Sequence, residues 1–152
     1  MQHERSSQAR SHNLLQSIVT VALAGSTIFG ASACARPTNL DLALSRATEK
    51  KAVNVQIRAG IAPIPISKMH QWSLHVTGLD GVPVSGASIK VDGGMPQHHH
   101  GLPTAPRVEQ TAVPGDYVIK GMKFSMTGWW VLNVAVSTPD GRTDKATFNI
   151  VL

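Results

Sequence analysis

The sequence predicts an all-β fold, a small antiparallel β-sandwich of about seven strands. Three observations carry this expectation. From Ala52 onward, apolar residues alternate with polar ones in short runs, which is the period of a half-buried strand. Turn signals such as Leu79-Asp80-Gly81 and Pro139-Asp140-Gly141 separate those runs. No stretch between them carries helical periodicity. The 152 residues favour a single domain, and a hydrophobic content of 42% is enough for one core.

The strands follow in order. Val53, Val55 and Ile57 alternate in VNVQIR, and Trp72, Leu74 and Val76 alternate in QWSLHVT. Ala87, Ile89 and Val91 alternate in ASIKVDGG. Pro114-Gly115-Asp116 then opens DYVIKGMKFSM, with Val118, Met122, Phe124 and Met126 on one parity and Tyr117, Ile119 and Gly121 on the other. Trp130, Leu132, Val134 and Val136 alternate in WWVLNVAVS, so the tandem Trp129-Trp130 puts one ring on each face and one of them in the core. Phe148, Ile150 and Leu152 finish the chain. Short strands joined by turns, with no helix between them, fit an immunoglobulin-like sandwich. Cys34 is the sole cysteine, so an antibody-type bridge between the sheets is ruled out and the core alone must hold the fold.

The N-terminus reads as an export signal. A basic start with Arg5 and Arg10 precedes the apolar run LLQSIVTVALAGSTIF at residues 14–29, and Ala31-Ser32-Ala33 follows. The run is shorter than the about 20 apolar residues of a stable span and contains Gln16, Ser17, Thr20 and Ser26, which favours a cleavable signal over a permanent anchor. Cys34 directly after the small residues resembles a bacterial lipoprotein site, with Ala31 where Leu is usual. Lipidation of Cys34 and plain cleavage nearby are the two alternatives. The expected organisation is a signal at 1–34, a polar tether at 35–51 that does not pack, and a sandwich domain at 52–152. The expected location is the periplasm or cell envelope, with a lipid anchor to the membrane under the first alternative.

The formal charge of +5 is scattered, with no run of five or more like charges. That gives no nucleic-acid patch and only a weak attraction to an anionic membrane or partner. Catalytic patterns are missing too: there is no G-x-S-x-G elbow, no H-E-x-x-H and no P-loop, and few carboxylates remain to orient a histidine. The sequence therefore does not predict an enzyme.

The stretch GGMPQHHHGLPT at residues 93–104 stands out. The predicted domain carries Met69, His70, His75, Met95, His98, His99, His100, Met122 and Met126 as soft donors. Imidazole with thioether suits copper, and thioether favours Cu(I). Zinc gains little from methionine, and a blue-copper centre lacks its cysteine. In an extended segment His98 and His100 point the same way and His99 the other, so His98 and His100 form the candidate pair. Met95 can fold back over Pro96. His70 shares the parity of Trp72, and Met126 ends its strand at the rim. The plainer readings are a polar turn for the histidines, core filling for Met122 with Phe124, a solvated His75, and a tight turn for the glycines.

These residues also resemble a known family. GGMPQHHHGLPTAPRV followed by GDYVIKGMKFSMTGWWVLNVAV, with MHQWSLHV earlier, is similar to the YtkA-like and FixH-like proteins of the bacterial envelope. The matching positions include Gly93, Gly94, Met95, Pro96, His98, His100, Gly101, Leu102 and Pro103, then Tyr117, Gly121, Phe124, Met126, Gly128 and Trp130. His99 departs from the small residue of the pattern, and a cleavable or lipidated signal stands where FixH proper has an anchor. The resemblance implies an immunoglobulin-like fold and general links to copper handling and respiratory-complex assembly. Its donor positions fall on Met95, His98, His100 and Met126, with His70 as a further candidate. The expected function is an exported protein that binds copper and buffers it or exchanges it with a metal-donor or acceptor protein. The alternative is a non-metal interaction module for an envelope or respiratory complex.

Overall fold

The computed structural model describes residues 37–152. The signal segment and Cys34, with the choice between lipidation and cleavage, lie outside the described residues. Among the described residues nine strands form: β1 (Ser45–Ala47), β2 (Asn54–Ala59), β3 (His70–Thr77), β4 (Ser88–Met95), β5 (His100–Gly101), β6 (Arg107–Gln110), β7 (Asp116–Met122), β8 (Trp129–Ser137) and β9 (Thr143–Val151). They make one sheet of order β1-β2-β3-β7-β6 and a second of order β5-β4-β8-β9, with every pairing antiparallel. With β1 set aside, these orders are the ABED and C′CFG sheets of an immunoglobulin-like sandwich. Among the described residues no helix is long and apolar enough to cross a membrane.

The alternation read in the sequence builds the core. Val55 and Ile57 of β2, Trp72, Leu74 and Val76 of β3, and Tyr117 and Ile119 of β7 are buried from one sheet. Val91 of β4, Trp130, Leu132, Val134 and Val136 of β8, and Phe148 and Ile150 of β9 are buried from the other. Each large side chain contributes about 1.5–3 kcal/mol by leaving water. In place of a disulfide between the sheets, Trp72 and Trp130 are buried from opposite sheets and Phe124 lies edge-on to both, at 6.2 and 5.1 Å between ring centroids. Tyr117 latches the sandwich at the other end: its hydroxyl donates to the Val84 carbonyl at 2.8 Å and accepts from the Ala87 amide at 3.1 Å.

Two features differ from the sequence reading. The segment 35–51 was expected not to pack, yet Ser45, Arg46 and Ala47 pair with Gln56, Val55 and Asn54. The apolar pattern is silent there because the inward side chain of β1 is Arg46, whose guanidinium lies 5.1 Å from the Phe148 ring centroid. Parity also changes within β7. Tyr117 and Ile119 point inward, and then Met122 and Phe124 do, both fully buried. Gly121 at φ 78° and a register shift between His70 and Trp72 make that switch.

Candidate functional site

One end of the sandwich gathers the start of β3, the end of β4, the end of β7, the start of β8 and the short β5. This end holds most of the donors. Met95, the last residue of β4, is 1% exposed, so its thioether lies beneath the loop. Its methyl group fills the space where Gly128 has no side chain: a Cβ there would stand 2.7 Å from Met95 Cε. The chain then reverses. The His98 amide donates to the Met95 carbonyl at 3.0 Å, and His99 adopts φ 53°, a left-handed conformation that histidine tolerates better than most residues. His100 thereby lands opposite Met95 in the β4–β5 pairing.

This turn brings His98 and His100 together, with ring centroids 5.9 Å apart. All three loop histidines are exposed. The Nδ1–H of His100 donates to the Gly101 carbonyl at 3.2 Å, which leaves Nε2 with the lone pair when the ring is neutral. Below His100 the buried Trp130 stands edge-on at 5.5 Å. The Trp130 indole N–H donates to the Met126 carbonyl at 3.1 Å, which ties the β7–β8 loop to the floor of the site. Met126 itself is 40% exposed and free to turn toward the rim.

His70 occupies a second position. Its Nδ1–H donates to the Lys68 carbonyl at 3.0 Å, and its ring packs 5.7 Å from Phe124 and 6.5 Å from Trp72. Its Nε2 is buried with no hydrogen-bond partner, which leaves a lone pair unsatisfied at a cost of about 1–3 kcal/mol. Ring contacts run His70–Phe124–Trp130–His100, so the structure sets His70 apart from the His98/His100 pair. Met122, opposite His70 in register, is fully buried core.

The His98/His100 spacing suits a shared metal. With a metal–nitrogen bond of about 2.0 Å, two imidazoles on one ion have centroids about 5–6.5 Å apart, depending on the bond angle. The observed 5.9 Å falls in that window. Among the described residues no group of three or more His, Cys, Asp or Glu is placed to hold a metal.

Three features of the structure were not assigned from sequence. Gly128 makes room for Met95, and its signal was only a glycine ahead of a tryptophan pair. Trp130, the core member of that pair, also floors the loop, whereas Trp129 donates its indole N–H to Asn149. His75, read as solvated, donates Nδ1–H to Asp116 on the outer face of the first sheet. A wide groove of about 830 Å³ between the edges of β4 and β6 is lined by neither histidine nor methionine.

The strand orders and the loop-bearing end define a small immunoglobulin-like sandwich domain. The chain belongs to the YtkA-like family, whose family model matches residues 49–135 and so includes both the histidine loop and the Phe124–Trp130 segment. That family is associated with bacterial envelope proteins. No curated protein matches the chain. Among solved structures it is similar to the ZirS C-terminal domain, with 10% identity, a TM-score of 0.40, and coverage of 97% of this chain and 88% of that one.

Proposed function

We propose that this protein is an exported envelope protein that binds copper, with Cu(I) favoured, at the rim of its sandwich and buffers or delivers it. The observation that carries the reading is the exposed His98/His100 pair at 5.9 Å. Met126 from the neighbouring loop and Met95 beneath it supply the softer donors. His70, with its tautomer fixed and its Nε2 unpartnered, is a separate and more enclosed donor. Copper is cargo in this reading. A partner protein removes it by offering its own donors at the exposed face of the imidazoles.

The test is a Cu(I) titration of the untagged protein against a competing chelator under reducing conditions, beside a His98→Ala/His100→Ala variant. One equivalent bound by the wild type and lost in the variant supports the reading, provided both proteins share one thermal unfolding midpoint. Imidazole binds metal only when neutral, so affinity should fall as the pH is lowered. Equal binding by both proteins, or none, removes the copper reading and leaves the loop as a protein-docking surface.

A further inference from the structure

We infer that the β1–β2 corner of the donor end, which is separate from the His98/His100 turn on β4 and β5, rests against an anionic lipid bilayer, with Leu42, Leu44, Ile61 and Met69 as the contacting apolar residues. The inference does not depend on copper. It rests on where the chain enters the fold, on which large apolar side chains are left in water, and on how charge is divided along the sandwich.

The chain enters at the donor end. The Asp41 carbonyl accepts from the Asn149 side-chain amide at 2.9 Å, and the Leu44 carbonyl accepts from the Ile57 amide at 2.8 Å. Residues 41–44 therefore lie beside the last residues of β2 and β9. Upstream of Pro37 the sequence holds the apolar run at 14–29 and Cys34. An extended chain spans at most about 3.6 Å per residue, so Leu42 stands within about 30 Å of Cys34. Under the lipidation alternative, an anchor at Cys34 keeps this end of the domain within that reach of the membrane.

The apolar residues at this end are arranged for a surface. Leu42 is 51% exposed, Leu44 38%, Ile61 50% and Met69 70%. Leu42 and Leu44, with Ala59, Ile64, Trp72 and Ile150, line a shallow apolar hollow of about 230 Å³. Exposed apolar groups also occur at the opposite end, at Leu79, Val82 and Val113, so exposure alone does not choose between the ends.

Charge does choose. Five of the eight described Asp and Glu side chains, Glu49, Asp80, Asp116, Asp140 and Asp144, lie at the end away from the donors, where Lys50, Lys51, Arg142 and Lys145 nearly balance them. At the donor end Arg58, Lys68 and Lys123 have no ion-pair partner among the described residues, and Asp41 is matched by Arg46 at 3.0 Å. An anionic lipid surface attracts the basic donor end more strongly than the nearly neutral opposite end, within a Debye length of about 10 Å at 0.1 M salt. Apolar side chains flanked by lysines suit the boundary between headgroups and acyl chains.

The test uses the full chain in vesicles of phosphatidylcholine with and without phosphatidylglycerol. A fluorophore is attached to Ile61→Cys or Val82→Cys in a Cys34→Ser background, and quenching by doxyl-labelled lipid is read. Quenching should be several-fold stronger at position 61 than at 82 in the anionic vesicles. It should fall at position 61 in a Lys68→Glu/Lys123→Glu variant and at high salt. Equal quenching at the two positions, quenching at neither, or stronger quenching at 82 overturns the inference. Hydrogen exchange on the unmodified chain gives a label-free reading. Residues 60–69 should be protected on anionic vesicles relative to neutral ones while residues 78–84 are not, and no difference again overturns it. Copper is absent throughout, so failure here leaves the copper reading standing, and the reverse also holds.

Discussion

Gly94→Ala is the sharpest perturbation of the donor loop. A Cβ at Gly94 would stand 2.5 Å from the His100 carbonyl oxygen and 3.1 Å from Gly101 Cα. Both obstacles are backbone, so no rotamer can relieve them, and β5 must move away from β4. The attachment of β5 is slight: it pairs only at Gly94–Gly101 and Met95–His100, with one further bond from the Leu102 amide to the Gly93 carbonyl at 2.8 Å. At about 0.5–1.5 kcal/mol net per hydrogen bond, peeling it off costs about 2–4 kcal/mol. Alanine recovers about 0.4–1 kcal/mol by restricting the unfolded chain. The expected net loss is about 1–3 kcal/mol, or about 5–15 °C in unfolding midpoint for a domain of this size.

Gly101→Ala is the control, because Gly101 is the cross-strand partner of Gly94. A Cβ there meets only the Gly93 carbonyl oxygen, at 3.4 Å, which is ordinary contact. Its unfolding midpoint should match or slightly exceed that of the wild type. Thermal unfolding followed by circular dichroism reads both variants. On the copper reading, Gly94→Ala also weakens Cu(I) binding about 10–100-fold, because the loop that orients His100 is lost while the imidazole remains. If Gly94→Ala melts with the wild type, or Gly101→Ala is equally damaged, the steric argument for the loop is wrong.

Two other perturbations probe the frame that carries the loop. Burial would raise the Asp144 carboxyl, but the Thr48 side chain and the backbone amides of Lys145, Ala52 and Lys50 outweigh it and hold it below its ordinary value. A depressed folded value adds stability above the unfolded value of about 3.9, and that stability is lost as pH falls through the folded value. Asp144→Ala should cost about 1–3 kcal/mol at pH 7 by stranding those amides, and its deficit in urea unfolding should shrink as pH approaches 3; a deficit constant with pH contradicts the linkage. Tyr117→Phe removes the bonds to Val84 and Ala87 and should lower stability by about 1–2 kcal/mol, read as a lower denaturant midpoint at unchanged slope; an unchanged midpoint means that water replaces the latch.

The sandwich was legible because its long strands are buried on one face, so period-2 alternation marks them directly. What stayed hidden was held by backbone or by long polar side chains. β1 enters the sheet through Arg46, a residue that hydropathy places in water. The parity of β7 switches at Gly121, where an added Cβ would meet nothing within 4 Å, so the glycine's role shows only in its φ of 78°. In the loop, parity along an extended chain chose His98 with His100. The structure pairs the same two residues through a left-handed His99. Parity placed His70 on the core side but said nothing of distance, and Phe124 and Trp130 are what separate it from the rim.

That separation bears on how the two kinds of donor would behave toward one ion. His98 and His100 stand in water on a turn floored by the buried Trp130 and carried by β4, which pairs with β8 from Ser88 to Gly94. On the copper reading such a pair binds with little reorganisation and still lets an incoming ligand approach from solvent, which is what transfer by ligand exchange requires. His70 has the opposite character, since its Nε2 is enclosed and any ion reaching it must displace packed side chains. A Cu(I) titration of His70→Ala therefore discriminates between the two. If the rim pair is the exchange site, the variant keeps its one equivalent and its transfer rate to a chelator, and it changes mainly in stability. Loss of stoichiometric binding in that variant would instead put the ion inside the sandwich and make the exposed histidines its entry.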